Sequence, residues 1–98
     1  MALPGLEDLL LPILRVCATG KQSIRDIIKQ VIADVGISAE EAAIMVPSGH
    51  VTAITVRIHW AKSYLKHAEL VTQPRRGIVV ITERGRDLLA KHPARIAN

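Results

Sequence analysis

VTAITVRIHWAKSYLKHAEL, residues 51–70, carries two competing periodicities, and the choice between them sets the fold. Its opening, Val51 to Ile58, is rich in β-branched residues. Ile54, Val56 and Ile58 alternate there as in a half-buried strand. Over the longer span, Ile54, Ile58, Ala61, Leu65 and Ala68 recur at the spacing of an amphipathic helix. The longer pattern outweighs the shorter, so a helix is expected from about Val51 to His67. At about 100° per residue, the face opposite the apolar stripe holds Thr52, Val56, His59 and Ser63. Thr55, Lys62, Lys66 and His67 flank it, and no acid lies between residues 51 and 68.

Upstream, Pro47-Ser48-Gly49 breaks the chain before this helix. Ser38-Ala-Glu-Glu41 is a capping box that starts a short helix through about Met45. Ser23-Ile-Arg-Asp26 is a variant of the same signature, followed by Ile24, Ile27, Ile28, Val31 and Val35 at helical spacing, with Gly36 as the stop. The first apolar stripe, Leu6 to Cys17, contains Pro12. Either the helix kinks there, or a short turn precedes a helix whose first position is near Pro12. The segment Ala18–Gln22 ends it. Downstream, Val71-Thr-Gln73 and Ile78–Thr82 flank Pro74-Arg75-Arg76-Gly77 and predict a hairpin. Thr82 then caps a last helix from Glu83 to Lys91, with Leu88 and Leu89 inward and His92-Pro93 as its end.

Three helices followed by a hairpin make a mainly α fold with a small β-hairpin, the plan of a winged helix-turn-helix. One such domain is expected over residues 1–93. The chain has 98 residues, and 49% are hydrophobic, which is enough for a core of Ile, Leu, Val and Ala and speaks against disorder. Cys17 is the sole cysteine, so no internal disulfide forms, and its apolar neighbours predict a buried, inert thiol. Acids at Glu7 and Asp8 stand where a signal peptide carries positive charge, and the longest charge-free run, Ala42–Val56, is too short to span a bilayer. A cytoplasmic protein with no membrane partner is the expectation.

The formal net charge of +4 is unevenly divided: residues 1–50 sum to −2 and residues 51–98 to +6. Such asymmetry suits a polyanionic partner. A helix-turn-helix lays one exposed helix in the major groove, where Thr and His can bond base edges and Val or Thr methyls can touch a base methyl. Plain solvent exposure is the alternative, but solvated faces usually mix Glu with Lys. Thr52, Thr55, His59 and Ser63 are therefore candidates for groove contact with double-stranded DNA, and Lys62, Lys66, Arg75 and Arg76 for phosphates. Within the hairpin one arginine is expected to dominate, because alternate side chains point opposite ways. Ser48 and His50, just ahead of the helix, are candidates for the DNA backbone. Trp60 and Tyr64 are i, i+4 neighbours, expected at the core edge. His59 has no His or Cys partner at ligand spacing, so no metal is expected. No phosphate loop, nucleophile elbow, HExxH or paired-carboxylate nuclease pattern is present, and the chain itself is not expected to be an enzyme.

Pro47-Ser48-Gly49 leading to Arg57-x-x-Trp60-Ala61-x-x-x-Leu65-x-x-Ala68-x-Leu70, then Pro74-x-Arg76-Gly77-x-x-x-Ile81-Thr82-x-x-Gly85, resembles the N-terminal domain of Mrr-type restriction endonucleases. Leu11-Pro12-Ile13-Leu14 and the closing His92–Asn98 fit as well. The second motif is shared by many winged helices; the Pro-Ser-Gly lead-in with Trp60-Ala61 is more specific. The resemblance implies a DNA-recognition domain of an intracellular prokaryotic enzyme that cleaves methylated DNA. It implies no cofactor for this domain, because the divalent metal serves a separate C-terminal nuclease domain toward which residues 94–98 would lead. Two other readings use the same fold. One is a protein-interaction winged helix that docks on its own nuclease domain or forms a homodimer. The other is a stand-alone transcription regulator.

Overall fold

The computed structural model describes residues 3–91. Helix α1 (Leu6–Cys17) is the spine of the core, with Leu9, Leu10, Leu11, Ile13, Leu14, Val16 and Cys17 all buried. It continues through Pro12 as one element. A proline in a helix interior costs about 3 kcal/mol, while each fully buried Leu or Ile contributes about 1.5–3 kcal/mol. Burial along α1 therefore outweighs the proline, and no helix starts anew there.

Residues Gln22–Ser23 form a two-residue strand, β1, that the sequence reading did not anticipate. Helix α2 (Ile24–Val35) begins as expected, with Ser23 Oγ accepting from the Asp26 N–H at 3.1 Å. Ile27 and Val31 are buried and Ile24, Ile28 and Ile32 pack against the core, but Val35 at the end of the stripe is exposed. The capping box of Ser38 and Glu41 is present, yet α3 (Ala39–Ala42) stops short of Met45. Met45 instead bridges antiparallel to Thr52, with Val46 N–H donating to Val51 O at 3.0 Å and Ala53 N–H to Ile44 O at 2.8 Å.

That bridge moves the start of the long helix. Helix α4 spans Ala53–His67, and Thr52 is its N-cap in extended conformation rather than a residue of its first turn. Ile54, Ile58, Ala61 and Leu65 are fully buried against the spine, as the helical stripe predicts. The β-branched opening of the segment thus supplies a cap and a first turn, not a strand.

Strands β2 (Val71–Arg75) and β3 (Ile78–Ile81) pair antiparallel, and β1 joins the other edge of β3, giving the order β1-β3-β2. Between Thr72 and Arg75 the register shifts by one residue. Pro74 has no N–H for the ladder, so a bulge on this edge strand accommodates it. Arg76-Gly77 makes the two-residue turn, with Gly77 at φ 79° in the left-handed region that such a turn requires. Helix α5 (Glu83–Ala90) follows, capped by Thr82, with Leu88 and Leu89 half-buried against the core. His92-Pro93 and the segment 94–98 lie outside the described residues. The result is a mostly helical domain with a small three-stranded sheet in a winged-helix-like arrangement.

Candidate nucleic-acid interface

The candidate surface comprises a loop, a helix face and a hairpin tip. The loop closes at the Met45–Thr52 bridge. Its tip is a turn in which Gly49 N–H donates to Val46 O at 2.8 Å, and Ser48 and His50 project from it exposed. Thr52 and Thr55 are drawn together at the head of α4. Thr52 Oγ1 accepts from the Thr55 N–H at 3.4 Å and donates to Thr55 Oγ1 at 2.7 Å. Thr52 is thereby committed to capping, and the Thr55 hydroxyl is the donor that the pair can present.

Further along α4, Ser63, Lys66 and His67 are exposed, and Val56, His59 and Lys62 are half-buried. His59 titrates below its usual value of 6.5, chiefly because burial disfavours its charged form and secondly because Lys62 stands near. Its imidazole is neutral at pH 7, with one nitrogen to donate and one to accept. Lys62 and Lys66 are free of ion pairs among the described residues.

At the hairpin, Arg75 and Arg76 are both exposed and neither is held by an ion pair among the described residues. Arg75 is the last residue of β2 and Arg76 lies in the turn, so the strand alternation from which a single dominant arginine was expected does not extend across the pair. Glu69, the acid that follows α4, is bound to Arg84 at 3.0 Å. Its charge is neutralised locally.

Two residues acquire places that sequence reading missed. Arg57 reaches back across the fold to donate from one guanidinium nitrogen to Leu3 O at 2.9 Å and Pro4 O at 3.1 Å. No local pattern could reveal a partner so distant in the chain. Trp60, expected at the core edge, is 65% exposed on α4, while Tyr64 does pack partly against the core. The helical phase could have found this: Trp60 lies about 50° from the centre of the solvent face, closer than Thr55 or Lys62. Its apolar character concealed that position.

The rest of the molecule offers little reactive chemistry. Cys17 is fully buried, and desolvation pushes its thiol up to about 11, so the nucleophilic thiolate is not populated at neutral pH. Among the described residues no three His, Cys, Asp or Glu side chains converge as a metal site would need. No helix among them is long and apolar enough to cross a membrane.

Comparison with known proteins agrees with this architecture. Neither a curated protein nor a solved structure matches the chain. The family described as the Mrr N-terminal domain matches residues 7–91, from the first turn of α1 to Lys91, the C-cap of α5. That span covers most of the chain and, among the described residues, every helix and strand but the first residue of α1, and the protein belongs to the Mrr N-terminal domain family.

Proposed function

We propose that this domain binds double-stranded DNA, with α4 in the major groove and the β2–β3 hairpin against the backbone. It would serve as the non-catalytic recognition part of a cytoplasmic restriction enzyme that selects methylated sites. One observation carries the reading: every charge on α4 is positive, and the hairpin that follows ends in two exposed, unpaired arginines. Cations in this number suit phosphates, while the Thr55 hydroxyl, the neutral His59 and Ser63 suit base edges. Membership of a restriction-system domain family supports the same reading.

The test is a mobility shift on matched methylated and unmethylated duplexes at two salt concentrations. Affinity should fall steeply with salt, since each neutralised phosphate releases counterion. Binding indifferent to salt overturns the DNA reading. Equal affinity for both duplexes overturns the methylation part alone.

A second reading, contact with a nuclease domain or with another copy of this chain, is favoured by different residues. Ile44 and Met45 beyond α3 and Val35 at the end of α2 are exposed apolar side chains. None of them belongs to α4.

A further inference from the structure

We propose that Trp60, with Val56 one turn before it, forms an apolar strip on α4 that reads pyrimidine C5-methyl groups on the floor of the major groove. The proposal rests on the DNA reading above and deepens it by naming the specificity element. Trp60 is the most exposed large apolar side chain among the described residues, at 65%. Leaving an indole in water forfeits the burial that normally places it inside. Nothing in the core requires that position, because Ile54, Ile58, Ala61 and Leu65 already fill the inner face of α4 completely.

Charge identifies the occupant. Arg57, Lys62 and Lys66 are the full charges of this helix; Arg57 is bonded to Leu3 O and Pro4 O, which leaves Lys62 and Lys66 as its available cations, and no carboxylate interrupts them. An apolar strip beside cations matches a surface with apolar groups beside anions. The major groove has that layout: its walls are phosphates, and the apolar group on its floor is the C5-methyl of thymine or of a methylated cytosine. Val56 and Trp60 are four residues apart, so they are neighbours on one helix face and can cover such a methyl together. Ser63, three residues beyond Trp60 on the same face, can donate to an adjacent base edge.

Trp60 is the sole tryptophan, so intrinsic fluorescence reports on it alone. The 98-residue chain should show ready acrylamide quenching that falls on saturation with duplex. Unchanged quenching at saturation overturns the proposal. A binding series then compares three duplexes of one sequence: unmodified, with cytosine C5-methylated, and with thymine replaced by deoxyuridine. Affinity should drop about fourfold for each contacted methyl removed, the factor expected for burying one such group. The two replacements separate thymine from methylcytosine as the source. Trp60→Ala should flatten the series and Trp60→Phe should keep part of it, with unchanged melting temperatures because the side chain is exposed. A Trp60→Ala variant that keeps the wild-type dependence on methyl groups overturns the proposal. If Arg75→Ala with Arg76→Ala weakens all duplexes equally while the series stays flat in wild type, this inference fails and the DNA reading stands. No salt-dependent binding to any duplex overturns both.

Discussion

Gly85, in the first turn of α5, lies directly against the backbone of Leu70, so that a Cβ at residue 85 would strike the Leu70 carbonyl oxygen. The same Cβ would come within 2.8 Å of Ile81 Cγ1. Thr82 pins this junction from both sides: its hydroxyl donates to Glu69 O at 2.7 Å and accepts from the Gly85 N–H at 3.1 Å. The glycine following Ile-Thr is thus a requirement for close approach between the end of α4 and the start of α5.

Gly85→Ala should therefore destabilise the domain by about 2–3 kcal/mol, as overpacking against backbone does. Urea denaturation checks this; a variant with the wild-type midpoint would show that the junction opens without penalty.

Glu69 holds φ 63°, the left-handed conformation, at the end of α4. Glu69 N–H donates to Lys66 O at 3.0 Å and Leu70 N–H to Leu65 O at 2.9 Å, the paired bonds of a Schellman ending. That conformation costs a non-glycine residue about 1–2 kcal/mol. The exposed Glu69–Arg84 pair returns little. Glu69→Gly should raise stability by about 0.5–1 kcal/mol after the extra unfolded-state entropy of glycine. A lower thermal midpoint in the variant would assign more to the ion pair.

Because burial and Lys62 lower the pKa of His59, its proton binds more readily in the unfolded chain. Its contribution to stability is complete above the ordinary value of 6.5 and is lost as pH falls through the lower folded value. NMR titration of the His59 ring should give a midpoint below 6.5, and His59→Gln should reduce the loss of stability on acidification. In the DNA complex nearby phosphates favour the charged form, so acidification should tighten binding in wild type more than in His59→Gln.

The Cys17 thiol, pushed up to about 11 by desolvation, should resist thiol reagents in the native protein at pH 8 and react fully in denaturant. Rapid native labelling would mean that α1 opens.

Arg76→Ala should weaken binding to all duplexes alike and lower the slope of log K against log salt by about 1. A change confined to particular sequences would instead give Arg76 a base contact.

The sequence by itself determined the element order and most helix boundaries. The caps at Ser23, Ser38 and Thr82 and the buried stripe of α4 are written in residues three or four positions apart. A side-chain hydroxyl bonding an N–H three residues on, or a stripe every helical turn, needs no distant partner. The acid-free character of α4 and the arginine pair of the hairpin were legible for the same reason. Only the tertiary structure decided the rest. Strand β1 exists because β3 offers it a ladder, since two residues carry no period of their own. Met45 and Thr52 pair across a loop and so delay the start of α4, converting Thr52 from a groove-facing candidate into its cap. Arg57 is drawn to carbonyls at the other end of the chain, and Trp60 is left in solvent because aliphatic residues already occupy the core. Local hydrogen bonding and periodicity act within a turn or two of chain, whereas competition for buried space is settled only when distant segments meet.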